Sequence, residues 1–223
     1  MFKTLISTSL LLLSFLLGNG VLAQRALSEG ILQYDISIIS AKNETPLSNA
    51  LNGANLTIYL KPSSSRTEMS STLGTETTVY DNRAGTGFIL KEYSGQKLMI
   101  TMNAANWEEK NRLYENLNFT ITDEQTVING YKCKKAVATL PDGKTFTVFY
   151  NPEIIITNKK FNNSFAQLPG LPVQYELQSG NLNFKYLLSK MNYEVVAQSK
   201  FDAPRTGYRV MTYAENQQLK KGK

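Results

Sequence analysis

The stretch "ILQYDISIIS", residues 31–40, places Leu32, Tyr34, Ile36 and Ile38 on one side of an extended chain and Gln33, Asp35 and Ser37 on the other. A two-residue period of this kind is that of a half-buried β-strand, since a helix would bring every third or fourth side chain to one face. The segment "NLTIYLK" (55–61) repeats it with Leu56, Ile58 and Leu60. Further along, "TETTVYD" and "GFILKEY" flank the turn-rich "DNRAGTG", and Ser94-Gly95 leads into "QKLMITMN". "NLNFTITD", "LPVQYELQ", "LNFKYLLSK" and "NYEVVAQSKF" read as further strands. One helix is predicted in "AANWEEKNRLYEN", capped by Asn103 and with Trp107 and Leu113 on its apolar side. The chain is therefore mainly β, a single antiparallel unit of about ten strands with few short helices.

The hairpin "AVATLPDGKTFTVFY" (136–150) predicts its own register. Pro141 presets the first turn position, Asp142 suits the second, and Gly143 supplies the left-handed residue of a bulged turn. Counting back from the tip, Ala138 opposes Phe146 and Ala136 opposes Val148, so small side chains meet large ones on the apolar face. Cys133, the only cysteine, is out of phase with those alanines. A bulge at Lys134-Lys135 would return it to the apolar face; without one it lies on the other face near Phe149. In either geometry it reads as a small core side chain, with a redox role as the alternative.

The first residues have the form of an export signal: Lys3, the apolar run "LISTSLLLLSFLLG", and "VLAQ" with a cut expected after Ala23. The apolar run is shorter than the ~20 residues that span a bilayer. A periplasmic or secreted protein is expected, with residues 1–23 removed, residues 24–213 as one β domain and residues 214–223 as a frayed polar, basic tail. No cysteine lies near the cut, so no covalent lipid anchor is expected there. The net charge of +6 is mild and spread along the chain, and no nucleic-acid motif accompanies it.

The sequence has no histidine. That removes Ser-His-Asp and Cys-His catalysis and histidine-ligated metal at once. Ser94-Gly-Gln-Lys97 matches S-x-x-K, but it sits at a turn between two strand patterns rather than at a helix start, and no K-T-G follows. Gly85 and Gly87 lack the third glycine of a dinucleotide loop. The adjacent pairs Glu108/Glu109 and Asp123/Glu124 point apart, whether on helix or strand. No catalytic residue, metal ligand or cofactor is assigned, and the protein is expected not to be an enzyme.

"INGYKCKKA", "FTVFYNPEI", "QLPGLPVQYEL" and "FDAPRTGY" together resemble the secreted GLPGLI-type proteins and related envelope domains of didermal bacteria, which also begin with a strand much like "GILQYDIS". In the namesake motif Gln167 stands where that family has its first glycine and Pro172 where it has isoleucine. The resemblance implies the LolA/LolB lipoprotein-carrier superfold, an open antiparallel barrel with an apolar concave side, and carriage or sensing of an amphiphile. On that basis the expected ligand-binding lining is Tyr34, Ile36, Ile38, Ile58, Leu60, Phe88, Leu90, Met99 and Met102, taking an acyl chain, lipid or lipoprotein. The alternative is a structural or adaptor protein whose barrel is filled by its own side chains and which binds another envelope component. Bulky residues packed across the concavity favour the second; a continuous apolar cavity favours the first.

Overall fold

The computed structural model describes residues 24–40, 46–115, 117–179 and 181–221; the export-signal assignment lies outside them. Two short parallel strands, β1 (Arg25–Leu27) and β11 (Ile154–Ile156), form one sheet. The other twelve make a single curved sheet. Its first half contains β2 (Gly30–Ser40), β3 (Asn55–Leu60), β4 (Ser64–Ser71), β5 (Gly74–Asp81), β6 (Thr86–Tyr93) and β7 (Gln96–Met102), each antiparallel to the one before it. A short helix, α1 (Pro46–Leu51), lies between β2 and β3 in the chain. The second half contains β8 (Phe119–Ile128), β9 (Tyr131–Thr139), β10 (Thr145–Asn151), β12 (Leu171–Ser179) and β13 (Leu182–Asn192), and β13 joins the halves by pairing with β2. β14 (Arg209–Thr212) adds to β7 in parallel. The outermost strands are thus β14 and β8, which do not pair with each other. The result is an open, incomplete barrel.

The hairpin register is the one its sequence predicts: Phe146 pairs with Ala138 and Val148 with Ala136, and Gly143 takes φ 80°. Helix α2 (Ala104–Asn111) starts at Asn103, whose side chain accepts the Asn106 N–H at 3.0 Å while Asn106 Oδ1 accepts the Asn103 N–H at 3.1 Å. These reciprocal bonds satisfy donors a helix start otherwise leaves unpaired. A 3-10 turn (Arg112–Tyr114) follows and carries the chain from β7 towards β8.

Two expectations change, and a third, the bulge at Lys134-Lys135, is met on one side of its strand only. "NYEVVAQSKF" is not a strand: only Asn192 ends β13, and the chain then runs as an irregular strap with a 3-10 turn at Gln198–Phe201. Burial does not alternate along it: Val195 is 86% exposed, and only Val196 (3%) and Phe201 are buried, against one face of the sheet. The tail from Ala214 is not frayed where described, because α3 (Tyr213–Lys221) buries Tyr213 and Asn216. Finally, Lys135 and Lys134 keep regular pairs with Phe149 and Tyr150 on the β10 side, while the register to β8 shifts opposite them, between Ile121↔Ala136 and Gln125↔Lys134. Cys133 is one residue beyond the last β10 pair, where that ladder no longer dictates its direction. It turns into the core at 2% exposure.

Candidate functional site

The pairing register carries a side chain's face from strand to strand. Ile58 pairs with Thr67, Thr67 with Thr78, Thr78 with Ile89, Ile89 with Ile100 and Ile100 with Met211, so all share the inner face. In the other direction Ile36 leads through Tyr186, Tyr175 and Val148 to Ala136, again on the inner face. One step out of phase, Tyr59, Arg66, Val79 and Phe88 form the corresponding row on the outer face, and Leu90 and Met99 pair there too.

This ladder sorts the nine expected lining residues. Tyr34, Ile36, Ile58 and Leu60 are buried in the large inner core, with Ile38 packed at its margin. Phe88 and Leu90, with Met99 beside them, belong instead to the outer face, under Val196 and Phe201 of the strap. Met102 is on the inner face but in a separate cluster with Ile89, Ile100, Trp107, Met211 and Tyr213. Strand alternation could have separated Met99 from Met102, since an odd spacing points them to opposite faces. What it could not show was the strap that buries the outer face.

The inner face is filled by the chain itself. Between β10 and β12 the segment carrying β11 and two 3-10 turns places Ile154, Ile156, Phe161, Phe165 and Leu168 in the inner core, and Leu27 of β1 joins them. Phe165 is 3% exposed and its ring lies 4.7 Å from Tyr175, 5.6 Å from Phe146 and 6.5 Å from Phe161. Tyr175 in turn stacks on Tyr186 at 4.6 Å and meets Tyr34 edge-on at 5.7 Å. The Tyr34 hydroxyl donates to the Pro172 carbonyl at 2.7 Å. Burial pushes the Tyr34 phenol well above its ordinary pKa, so it stays a neutral donor. The "PGLP" corner closes the segment: a Cβ on Gly170 would come within 2.3 Å of the Asn151 carbonyl oxygen, so only glycine allows this approach.

Two clefts frame this core. Beside the β9–β10 turn and the β12–β13 hairpin, Leu113, Leu140, Phe146 and Leu177 border a cleft of about 520 Å³, with Lys144 and Glu176 also lining it. A second cleft of about 390 Å³ lies between α2, the β5–β6 turn and the inner segment, lined by Tyr80, Asn82, Trp107 and Lys160 among others. Elsewhere the strap is tied down by carboxylates: Glu29 accepts from Lys61 at 2.7 Å and from the Val196 N–H at 2.8 Å, while Glu92 pairs with Lys97 at 2.8 Å and accepts the Tyr208 hydroxyl.

Among the described residues no group of three or more His, Cys, Asp or Glu side chains could hold a metal ion, and no helix is long and apolar enough to cross a membrane. Ser94 sits in the β6–β7 turn at φ 51° and Lys97 in β7, and Lys97 is engaged by Glu92. The Cys133 thiol donates to the Tyr131 carbonyl at 3.3 Å, and burial pushes its pKa up to about 11, which keeps it protonated at neutral pH.

The fold and its filled interior define a mainly β protein of the open-barrel class. No protein-family model matches the chain, and no curated protein matches it in sequence. Among solved structures it is similar to PNGF-II (13% identity, TM-score 0.46, covering 86% of this chain and 32% of that one). It is also similar to MucB (11%, 0.41, 82% and 60%), and to an uncharacterized conserved protein from Thermus thermophilus (8%, 0.46, 82% and 90%). The chain thus spans about a third of PNGF-II and three fifths of MucB.

Proposed function

We propose that this protein is a non-enzymatic component of the cell envelope that works as an adaptor, engaging another envelope component through its surface while its own side chains fill the barrel. One observation carries the reading. The space an acyl chain would need against Tyr34, Ile36, Ile58 and Leu60 is taken by Phe161, Phe165, Leu168 and Leu27, packed into the same core as the sheet. Those residues come from two separate stretches of chain, so emptying the interior means breaking core contacts, which costs about 2–5 kcal/mol per large side chain.

A second reading, carriage of a short amphiphile, is supported by the 520 Å³ cleft, whose size suits a small ligand and whose border mixes apolar Leu113, Leu140 and Leu177 with charged Lys144 and Glu176. The two separate in one experiment. Protein purified from its own envelope is weighed by native mass spectrometry, extracted for lipid and titrated with a fluorescent fatty acid, and intact cells are cross-linked in parallel. The adaptor reading expects bare polypeptide, no saturable uptake and a discrete protein adduct. One equivalent of acyl lipid without such an adduct overturns it, and loss of that lipid in Leu177→Arg assigns it to the cleft.

A further inference from the structure

Residues 193–208 join β13, inside the large sheet, to β14, at its edge, and cross the outer face of the strands between them. Connections in compact domains are ordinarily shorter than about 12–15 residues, and longer ones without strands or α-helices of their own are usually functional. Among the described residues no part of this strap pairs in a ladder. Only Val196 and Phe201 are buried, Pro204 and Tyr208 are half-buried, and every other residue is exposed. Beneath it Val79, Phe88 and Leu90 are 4%, 8% and 5% exposed, with Ile31, Tyr59 and Met99 packed at the margin. A continuous apolar strip of this kind does not stay open to water. Here a thin, irregular segment closes it.

The polar ties are as local as the burial. Glu29 accepts the Val196 N–H at 2.8 Å, Arg66 donates to the Lys200 carbonyl at 3.0 Å, and the Lys200 ammonium lies 4.9 Å from the centre of the Tyr59 ring. Further along, the Tyr208 hydroxyl donates to Glu92. None of these ties is a strand pair, and at both ends the strap continues into strands held by their own ladders. It can therefore lift from the outer face while β13 and β14 stay in the sheet. Segments with few buried contacts open at a lower free energy than the core around them.

We propose that the strap is a displaceable occupant of a groove on the outer face, and that this groove takes an extended segment of another polypeptide in its place. The assignment rests on the adaptor reading above and gives that adaptor its docking surface. The strap itself displays the chemistry the groove reads: an aliphatic side chain in the place of Val196, with its N–H on Glu29; four residues on, a cation over Tyr59 with its carbonyl on Arg66; and directly after it an aromatic side chain in the place of Phe201. The two apolar anchors supply affinity, and the polar ties set direction and register. Because the strap is tethered, it competes at a roughly millimolar effective concentration. The closed protein thus excludes weak ligands and yields to a segment that binds more tightly than its own strap.

The probe is a fluorescent synthetic peptide of residues 193–208, titrated with full-length protein and followed by anisotropy. Val196→Ser/Phe201→Ser in the protein removes both anchors of its own strap and frees the groove. This variant should bind the peptide saturably and about tenfold or more tighter than wild type does, and a peptide carrying the same two serines should not bind. A measurement on unmodified protein guards against misfolding of the variant: in native hydrogen exchange the Val196 amide should exchange about 100-fold faster than the amides of β5 and β6. No saturable binding by a folded variant, equal affinity in variant and wild type, binding that ignores the serines in the peptide, or strap and sheet exchanging together overturns the assignment. The adaptor reading has its own test in the cellular protein adduct, so failure of the groove and failure of that reading are told apart.

Discussion

Phe165→Ala tests whether the inner segment is part of the core or a removable stopper. The side chain is 3% exposed and contacts three other rings, on β10, on β12 and within its own segment. Replacing a buried phenylalanine with alanine costs about 3–5 kcal/mol in lost transfer and cavity terms, and each aromatic pair removed adds about 0.5–1.5 kcal/mol at the upper end. The rings come from three different parts of the chain, so the void cannot be closed by one local shift. With a urea slope near 3 kcal/mol/M, the unfolding midpoint should fall by about 1 M or more at unchanged slope, read by circular dichroism. A loss below about 1 kcal/mol would mean the segment contributes little to the folded state. The claim of a filled interior, and the adaptor reading with it, would then fail.

Other consequences follow from the same contacts. Tyr34→Phe removes the side-chain donor to the Pro172 carbonyl and should cost about 1–3 kcal/mol with no change of fold, checked by the same denaturation. The Cys133 thiol, buried and with its pKa pushed up to about 11, should resist a maleimide at neutral pH in native protein and react fully in urea; fast native labelling would contradict its place in the core. Glu29 and Glu92 both have their carboxyls held below the ordinary 4.5, by Lys61 and the Val196 N–H in one case and by Lys97 and Tyr208 in the other. A depressed folded pKa gives stability that is present above the ordinary value and lost as pH falls through the folded one. Hydrogen exchange, corrected for its intrinsic rate, should therefore rise across residues 193–208 first as pH drops below about 4.5; loosening of that strap on alkalinisation instead would refute the assignment.

Much of this architecture was legible in the chain. The alternation of Leu32, Tyr34, Ile36 and Ile38, the Pro-Asp-Gly turn and the Asn103 cap are local signals. Each depends on a few neighbouring residues whose geometry is dictated by backbone sterics and short hydrogen bonds. The candidate lining was less legible. Phe88 and Leu90 do share a face, as alternation requires, but two faces are available and only the register through Tyr59, Arg66 and Val79 decides which. The strap at residues 193–208 misled because its apolar residues read like a strand's, whereas it lies on the sheet and buries only Val196 and Phe201.

Sequence by itself therefore determined that this is a β protein without histidine chemistry, where its turns fall, and which residues oppose each other across its tightest hairpin. Tertiary structure alone decided that the barrel stays open between β8 and β14, that its hollow is occupied by Phe161, Phe165 and Leu168, and that a polar cleft sits beside α2. The division has a physical cause. Local conformation is set by steric and hydrogen-bond terms within a few residues, whereas filling a concavity depends on which distant apolar segment reaches it, and hydrophobic burial rewards any segment that fits.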